Sequence, residues 1–385
     1  MSRGASHPRP RVLVFTPYFL PSDQGGGSVR AVQHLCEQLG DEFEWVIAAG
    51  DRDIDRPLDP TACEALRSRT ALDVRYLPYG LALFPRLTAL LSEPWDLVYF
   101  NSFLSPRFTL LPLLLLRSRH PVLLAPRGEL LAGAWSQKSW LKRLYLVSLR
   151  LGGLLKRVHW QATSAEEATR LRQFRLGPIS MAPDLPPRLP EEPPAPQPLP
   201  SGPLQLVYLS RIDRQKNLGF ALQALMEVRS PVTLDVYGPV TDLAYWQQCQ
   251  VLITELPAHV TVQYHGALAP HHVPEALGKH EMLVLPTLGE NHGYVIGEAL
   301  LAGCLVLTSD QTPWTSTSDA HLIRALALDN SKAFASAIDE VAQLDATSRW
   351  ELRRQAQSLG LNHLKATSAA GATRRLFDQL CRVGG

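Results

Sequence analysis

A proline-rich segment at residues 184–203 separates two stretches of the chain that share one pattern. It reads DLPPRLPEEPPAPQPLPSGP, and because proline lacks a backbone donor and stiffens the chain, no regular structure is expected there. On each side of it, short apolar strands alternate with amphipathic helices. This alternation predicts an α/β protein with two parallel sheets, each covered by helices on both faces. The chain of 385 residues is also longer than a single core usually supports.

The first stretch is predicted to contain six strands, and the second five. Those of the first lie near residues 12–15, 45–48, 97–100, 122–125, 159–162 and 179–182, with helices near 28–39, 106–117, 138–155 and 165–174. Those of the second lie near residues 206–209, 233–237, 261–264, 282–285 and 305–308, with helices near 218–228, 245–256, 273–277 and 295–301. From residue 331 onwards the chain is predicted to be largely helical.

The composition favours a globular protein of a reducing compartment. The formal net charge of +2 is close to neutral and gives no case for a nucleic-acid partner. The five cysteines are scattered and odd in number, and neither they nor the histidines show metal-ligand spacing, so we expect a cytoplasmic protein without a metal site. The apolar run at residues 12–15 is too short for a signal peptide, and the one at residues 110–116 contains a proline. No membrane-spanning segment is therefore predicted.

Two glutamates eight positions apart, Glu290 and Glu298, mark the segment PTLGENHGYVIGEALLAGCLVLTSDQTPW at residues 286–314. An apolar strand runs into a glycine-containing loop that bears Glu290, and the loop opens an apolar helix that bears Glu298. The first N–H groups of a helix lack intrahelical partners and, with the helix dipole, favour an anion. A phosphate flanked by two carboxylates fits a ligand that also carries hydroxyls, such as a nucleotide sugar. The alternative is a strand–helix turn with incidental acids on a solvated face.

This segment resembles the E-x7-E signature of the retaining glycosyltransferases of family 4, which have the two-domain GT-B fold. The resemblance rests on both acids, on the glycine three residues after the first acid, on the small residues of the helix and on the trailing SDQTPW. It implies that Glu290 is a catalytic residue that orients the donor sugar together with backbone amides, and that Glu298 holds the ribose hydroxyls. The donor-binding residues implied here are Gly293, Tyr294, Val295 and Glu298.

The same resemblance implies how the chain is divided. We expect a GT-B fold of two Rossmann-like domains whose parallel sheets face an interdomain cleft, where ligands of open α/β sheets bind. The predicted segments are an N-terminal acceptor-side domain at 1–185, a proline-rich linker at 186–203, a nucleotide-sugar-binding domain at 204–365 and a C-terminal helix at 366–385. In enzymes of this fold such a helix packs back onto the first domain.

Three glycines follow the first predicted strand in the sequence PSDQGGGSVR at residues 21–30. Glycines between a strand and a helix let the backbone approach a bound group, and Ser28 is placed to cap the helix. The loop resembles the family's first-domain glycine loop, which implies that Gly26 and Gly27 bind the donor. The alternative is a flexible turn that only connects two elements.

The loop after the first strand of the second stretch carries two cations five residues apart, Arg211 and Lys216. Both match the arginine and lysine of the family, which implies that they stabilise the diphosphate leaving group as its charge develops. The resemblance also implies that no divalent metal is needed. Asn217 is placed to cap the next helix, and Arg214 is interpreted as a solvated charge. The alternative for the matched pair is likewise a set of solvated loop charges.

The sequence departs from the commonest family pattern at residues 125–130, APRGEL. Many members carry a histidine there, whereas this chain has Arg127 in a Pro-Arg-Gly triplet that resembles a subset associated with bacterial surface polysaccharides. Arg127 is predicted to hold donor phosphate or acceptor, although it is a poor general base because it keeps its proton. The alternative is a surface salt-bridge residue.

Residues 138–157 form the one charge-biased helix that the sequence predicts. It contains six cations and no acid, and apolar residues such as Trp140, Leu141 and Leu144 lie between them. A basic amphipathic helix of this kind is suited to an anionic membrane surface, where lipid-linked acceptors are found. A packed helix with a solvated basic face is the competing interpretation.

Two further residues follow strands of the second stretch. His265 belongs to a His-Gly dipeptide that matches a recurring family dipeptide lining the cleft, and Gly238 ends the preceding strand in a turn. Both are predicted to bind the donor, Gly238 by letting the backbone approach the nucleotide. A histidine that caps its strand is the alternative for His265.

Together these features predict a retaining glycosyltransferase that needs no cofactor and uses a UDP- or GDP-sugar as donor. The acceptor is predicted to be a hydroxyl of a glycan or of a polyprenyl-linked glycan in bacterial polysaccharide biosynthesis. The enzyme is expected in the cytoplasm, peripheral on the inner face of the cell membrane. Two alternatives remain, a GT-B nucleotide-sugar epimerase and a non-catalytic scaffold that binds sugar nucleotides.

Overall fold

The chain divides into two compact units in a computed structural model. The model describes every residue except 1–8, 23–24, 54–55, 71, 117–119, 132–134, 136–138, 189–194, 317–318, 367–368 and 384–385. The first unit comprises Met1–Arg188 and Ser368–Gly385, and the second comprises Leu189–Thr367. None of the helices within the described residues combines the length and the apolar character needed to cross a bilayer.

The first unit is built on a seven-stranded sheet. Its strands are β1 (Arg11–Thr16), β2 (Glu44–Gly50), β3 (Asp73–Leu77), β4 (Leu97–Phe100), β5 (Val122–Leu124), β6 (Val158–Ala162) and β7 (Ile179–Met181). Its helices are α1 (Gly26–Leu39), α2 (Pro60–Arg69), α3 (Leu83–Leu91), α4 (Leu111–Leu115), α5 (Ser139–Leu151) and α6 (Ala165–Gln173). The strand order is β3-β2-β1-β4-β5-β6-β7, so the order reverses between β1 and β4.

The second unit repeats the plan with six strands. They are β8 (Leu204–Leu209), β9 (Val232–Tyr237), β10 (Val260–Gly266), β11 (Met282–Leu285), β12 (Leu305–Ser309) and β13 (Ile323–Leu326). The helices are α7 (Leu218–Leu225), α8 (Leu243–Thr254), α9 (Val273–Gly278), α10 (Tyr294–Leu301), α11 (Ser331–Ala342) and α12 (Ala346–Ala366), while α13 (Ala369–Val383) belongs to the first unit. The order β10-β9-β8-β11-β12-β13 reverses between β8 and β11.

The predicted pair of parallel sheets is confirmed. All strand pairs within both sheets are parallel, and the central strands β4 and β11 are buried over their whole length because helices cover both faces. The sequence pattern missed β3 and β13, and it also missed α2 and α3. Both missed strands lie at a sheet edge, where half-buried polar residues replace the continuous apolar run of a central strand.

The C-terminal helix α13 completes the core of the first unit. Phe377 is fully buried and packs its ring against Phe43, Trp45 and Tyr99 at centroid separations of 5.9, 5.5 and 5.3 Å. Tilted and edge-on aromatic contacts of this kind stabilise a core beyond the area that they bury. The helix therefore supplies apolar surface that residues 1–188 lack by themselves.

Part of the proline-rich segment is attached to helix α12 of the second unit. Arg353 is almost fully buried, and its guanidinium donates to the carbonyls of Gln197 (2.6 Å), Gly278 (2.7 Å) and Gly303 (3.2 Å). Trp350 adds a hydrogen bond from its Nε1 to the carbonyl of Pro196, at 3.1 Å. A proline-rich segment has few backbone N–H groups that could pair with its own carbonyls. Side chains of α12 donate to these carbonyls instead.

We expect Arg353→Met to lower the free energy of unfolding of the second unit by about 2 kcal/mol, because three carbonyls lose the donor that a buried side chain supplies. Methionine retains most of the apolar volume, so the loss reports the hydrogen bonds. Urea denaturation measures it. Arg354→Met is the matched control, since Arg354 lies next to it on α12 and is exposed. Equal stabilities of the two variants would contradict the assignment.

Candidate functional site

Three loops of the second unit are joined by hydrogen bonds at the carboxyl edge of its sheet. The loop after β11 is held to the loop after β8, because Thr287 Oγ1 and the amide of Leu288 donate to the carbonyl of Gln215, at 3.1 and 2.8 Å. The same loop is held to that after β12 by a hydrogen bond from the amide of Glu290 to the carbonyl of Gln311, at 3.1 Å. The order of strands reverses between β8 and β11, which is where open α/β sheets bind ligands.

Lys216 and Glu290 form an ion pair between two of these loops. Lys216 Nζ lies 2.5 Å from Glu290 Oε2, and the two side chains are 13% and 17% exposed. They are 74 positions apart in the chain. The structure therefore brings together two of the three predicted catalytic residues, in a half-enclosed setting where charge–charge interactions are stronger than in water.

The third of them, Arg211, lies on the same loop as Lys216 and is organised by Asp213. Arg211 Nη2 lies 3.3 Å from Asp213 Oδ2, and the other carboxylate oxygen, Oδ1, accepts from the amide of Lys216 at 3.0 Å. The Arg211 side chain remains 42% exposed to solvent. Asp213 was not identified from the sequence, although an acid between two predicted phosphate-binding cations was a usable signal.

Helix α10 begins beside the ion pair with a glycine rather than with a capping side chain. Gly293 occupies the N-cap position at φ 74° and makes no side-chain capping bond. A Cβ at Gly293 would meet Trp314 Nε1 at 3.0 Å and Glu290 Cγ at 3.2 Å, while Trp314 Nε1 donates to the carbonyl of His292 at 2.8 Å. The start of the helix is thus fixed beside Glu290, and its dipole favours an anion there.

The remaining predicted residues of this segment lie along the same helix. Tyr294 and Val295 form its first turn and Glu298 its second, and all three are half-buried. Tyr294 and Glu298 are four positions apart, so they share one face of α10. Asn217 occupies the predicted N-cap position of α7, but it is in a left-handed conformation and its side chain makes no capping bond.

Gly238 and His265 lie where β9 and β10 end. Gly238 has a φ of 140°, and its amide donates to the carbonyl of Gly266 at 2.8 Å. His265 Nε2 lies 3.0 Å from Asp235 Oδ1, and its ring stacks on Tyr237 at 4.7 Å. Asp235 and Tyr237 were not identified from the sequence, because they are part of a strand that otherwise reads as core.

In the first unit the glycine loop leads directly into α1. The helix begins at Gly26, with Gly25 as its N-cap residue, and Ser28 Oγ donates to the carbonyl of Gly25 at 2.8 Å. The predicted capping role of Ser28 is therefore wrong, since Ser28 lies inside the first turn. A Cβ at Gly25 would meet Val29 at 2.2 Å, so this position requires glycine. Gly26, at φ 55°, is surrounded by open space.

Arg127 is anchored by three side chains, with a φ of 56°. Its Nε donates to Asn101 Oδ1 at 2.8 Å, its Nη2 donates to the hydroxyl of Tyr99 at 2.5 Å, and its Nη1 pairs with Asp184. Asn101 Nδ2 in turn donates to the carbonyl of Ser28 at 2.9 Å. The guanidinium is only 10% exposed, so the alternative of a surface salt bridge is wrong and the ion pair is internal.

The half-buried carboxylate of Glu129 and the buried one of Glu167 shape the loop that bears Arg127. Glu129 accepts hydrogen bonds from the amides of Phe103 and Leu104, at 2.6 and 2.8 Å, and Glu167 accepts from the amide of Gly128 at 2.6 Å. Burial raises the pKa of Glu129 above its usual value, and these hydrogen bonds act against that shift. The loop is therefore held by backbone amides that follow β4 and by a side chain of α6.

The predicted site residues are thus divided between the units. Gly26, Gly27 and Arg127 belong to the first, and all the others to the second. Among the described residues, no group of three or more His, Cys, Asp or Glu side chains is placed to hold a metal ion.

Comparison with known proteins agrees with this architecture. Residues 203–343 match the family model described as "Glycosyl transferases group 1". A search of the curated proteins found no match to the sequence.

Solved structures resemble the whole chain. HepE of Anabaena in complex with UDP-glucose superposes with a TM-score of 0.70 at 16% identity, covering 96% of this chain and 99% of that one. Sucrose-phosphate synthase of Thermosynechococcus elongatus gives 0.74 at 17% identity, covering 98% and 100%. WaaG, a glycosyltransferase involved in lipopolysaccharide biosynthesis, gives 0.64 at 14%, covering 96% and 99%. The chain has the GT-B fold of these proteins, and its second unit matches the group 1 glycosyltransferase family.

Proposed function

We propose that the protein is a retaining, metal-independent glycosyltransferase of the hexosyltransferase type. It moves a sugar from a UDP- or GDP-sugar to a hydroxyl of a glycan or lipid-linked glycan in bacterial polysaccharide biosynthesis. The observation that carries this proposal is the Lys216–Glu290 pair beside the uncapped start of α10, within the segment that matches group 1 glycosyltransferases. HepE, solved with UDP-glucose, and WaaG, involved in lipopolysaccharide biosynthesis, support the donor and acceptor classes.

We assign complementary roles to the charged residues on the basis of this geometry. Lys216 and Arg211 place positive charge where the departing diphosphate becomes more negative, which is the form of stabilisation that lowers a barrier most. Glu290 is held by Lys216 until the donor binds. The diphosphate then shares the ammonium, and the carboxylate accepts hydrogen bonds from sugar hydroxyls. Glu298 holds the ribose hydroxyls, and the start of α10 binds the anionic end of the donor.

A front-face route completes the reaction without a protein base. The acceptor oxygen forms its bond to the anomeric carbon on the face from which the diphosphate departs, and a phosphate oxygen takes the acceptor proton. Arg127 does not act as the base, because its guanidinium keeps its proton and is paired with Asp184. It instead holds the loop at the end of β5. This loop belongs to the first unit, which we take to be the acceptor side.

The test begins with thermal-shift measurements on a panel of nucleotide sugars, because a ligand stabilises the folded state by mass action. A stabilising donor is then incubated alone and with glycan acceptors in EDTA, and the product anomer is identified by NMR. Transfer with retained configuration supports the proposal. An epimer of unchanged mass, formed from the donor alone, would favour the epimerase. Binding without transfer or hydrolysis would favour the scaffold.

The basic helix supports a location on the inner face of the cytoplasmic membrane. On α5 the apolar residues Trp140, Leu144 and Leu151 are 67%, 61% and 86% exposed and recur at helical spacing, while Leu146 and Leu149 on the opposite face are buried in the core. We call the exposed set, with Leu141 and Val147, the α5 apolar stripe. A packed helix with only a solvated polar face would not present such a stripe.

Cations border the α5 apolar stripe. Arg143, Arg150, Lys156 and Arg157 are exposed, and the segment contains no acid. Apolar side chains entering the headgroup region and cations facing lipid phosphates are the combination that binds anionic membranes. Lys138, the first cation of the predicted helix, lies outside the described residues. A cytoplasmic location is further supported by the five cysteines, all of which are free and buried.

We expect the protein to co-sediment with vesicles of phosphatidylglycerol at low salt, and much less with vesicles of phosphatidylcholine. The triple variant Trp140→Ser, Leu144→Ser, Leu151→Ser should bind at least about tenfold more weakly, because three apolar side chains no longer leave water. Leu243→Ser with Val251→Ser is the matched control, since both residues are exposed and apolar but lie on α8. Equal sedimentation of the variants would reject the membrane contact.

A further inference from the structure

The carboxylate of Asp235 lies between two imidazole rings at the edge of the second sheet. Its Oδ1 is 3.0 Å from His265 Nε2, and its Oδ2 is 3.0 Å from His280 Nε2. Asp235 is on β9, His265 is near the end of β10, and His280 follows α9. Residues from three separate elements thus converge on one acid that is only 20% exposed.

His280 fixes the position of this carboxylate. It is buried, and its Nδ1 lies 2.7 Å from the carbonyl of Ala276. A carbonyl and an ionised carboxylate both only accept hydrogen bonds, so Nδ1 donates to Ala276 and Nε2 donates to Asp235. Because both of its nitrogens are engaged, the His280 ring cannot rotate without losing a contact. It therefore holds the Asp235 carboxylate in a fixed position beside β10.

His265 is the residue that the carboxylate orients. The register between β9 and β10 shifts between Tyr264 and Gly266, so His265 occupies a bulge, a feature that redirects a side chain. An ionised carboxylate only accepts, so Nε2 of His265 carries the hydrogen and Nδ1 keeps its lone pair. The ring stacks on Tyr237 at an interplanar angle of 17° and remains 35% exposed.

We propose that Asp235 and His280 are positioning residues that fix the tautomer and orientation of His265, so that its Nδ1 accepts a hydrogen bond from the nucleoside part of the donor. Hydroxyl and ring N–H groups of a nucleoside are suitable partners. The inference rests on the proposed function, because it takes His265 as a donor-binding residue. It is supported by the hydrogen bond between Gly238 and Gly266, which places His265 next to the turn where the backbone is expected to approach the nucleotide.

The tautomer is measured without any substrate, by ¹⁵N NMR of the protein labelled at histidine. We expect His265 to show a protonated Nε2 and an unprotonated Nδ1. His259, whose Nε2 contacts a carbonyl, and His120, whose Nδ1 does, serve as internal references for the two tautomers. Asp235→Ala should average the signals of His265 and leave both references unchanged. A protonated Nδ1 in the wild type, or an unchanged spectrum of His265 in Asp235→Ala, overturns the positioning role.

Asp235→Asn tests the arrangement with a variant that preserves volume. In this variant His280 keeps its Nδ1 hydrogen for Ala276 and loses the one on Nε2 to solvent, so its Nε2 accepts from the amide NH₂ and the amide oxygen turns to His265 Nε2. The asparagine variant should therefore retain the tautomer and a KM for the donor within about twofold of the wild type, whereas Asp235→Ala raises KM about tenfold with little change in kcat. Similar KM values for the alanine variant and the wild type contradict the proposal.

Substitutions of His265 test the role of its Nδ1. Asparagine places an acceptor near the position of Nδ1, whereas glutamine reaches towards that of Nε2. We expect His265→Asn to bind UDP or GDP about tenfold more tightly than His265→Gln. Equal affinities, or no effect of either nucleotide on the wild-type His265 signals, overturn the ligand contact. If neither nucleotide binds anywhere on the protein, the proposed function fails as well, while the tautomer result still stands or falls independently.

Discussion

Glu290→Ala is expected to lower kcat by about a thousandfold, the effect of removing one preorganised polar group from a transition state. Folding should be almost unaffected, because the side chain lies at a loop and its backbone hydrogen bond to Gln311 persists. Release of UDP or GDP from the donor identified by thermal shift measures kcat, and thermal unfolding monitors the fold. A rate near that of the wild type would remove the role assigned to Glu290.

Because Lys216 and Glu290 form an ion pair, a specific result is expected when both residues are substituted together. Lys216→Met should lower kcat by a similar factor, and the two effects should not add, because the two groups contact each other and act on one ligand. Glu275→Ala and Lys279→Met form the matched control, since this pair makes an equivalent contact at 2.8 Å but is 67% exposed on both sides. Additive losses in the Lys216–Glu290 pair would mean that the two residues act independently.

The sequence was sufficient to predict the elements that carry these residues, but not their contact. Glu290 and Lys216 each follow a buried apolar strand, and the ends of parallel strands meet at one edge, so both were expected near the ligand. Their direct pairing depends on β8 and β11 being neighbours in the sheet. Strand order is a property of tertiary packing, and local periodicity does not encode it.

The errors at helix starts have a common physical origin. Ser28 and Asn217 have the residue types that cap helices, yet α1 begins two residues earlier than predicted, and Asn217 stands at the N-cap in a left-handed conformation without a capping bond. Capping propensity describes an isolated helix. Both of these helices instead begin just after a strand, at the end of the sheet where ligands are expected to bind. The partners of Arg127 were missed for a different reason, because Asn101 and Asp184 are distant in sequence and lack any periodic signal.

The α5 apolar stripe is another feature that depends on tertiary packing and that local periodicity does not encode. Periodicity predicted an amphipathic basic helix at 138–157, and it was correct over Ser139–Leu151, whereas a left-handed Gly153 and a 3₁₀ turn follow where the helix was expected to continue. It did not predict that the helix has two apolar faces, because Leu146 and Leu149 fill the core while Trp140 and Leu151 are exposed. Only the packing of α5 against the sheet distinguishes an apolar residue of the core from one available to a membrane.

Gly238→Ala is expected to be the most damaging small substitution in the second unit. A Cβ at this position would lie 1.8 Å from the carbonyl oxygen of Ser210 and 3.3 Å from the amide of Arg211, and the φ of 140° is strained for any other residue. The contacting atoms are backbone, so relief requires β8 and β9 to move apart. We expect a loss of about 4 kcal/mol or more in the free energy of unfolding, measured by urea denaturation.

The same substitution should also abolish donor binding in whatever fraction remains folded. The atom that must move belongs to Ser210, the residue immediately before Arg211, so relief of the clash displaces a cation of the diphosphate site. Gly278→Ala is the control, because its Cβ would meet open space at a helical position where alanine is favoured over glycine. It should retain stability within about 1 kcal/mol and the full affinity for UDP or GDP. Gly238→Ala could instead be as stable as the wild type and bind the nucleotide equally well. The close approach of β8 and β9 at this turn would then not be required, and the phosphate-binding role of the neighbouring loop would lose its structural basis.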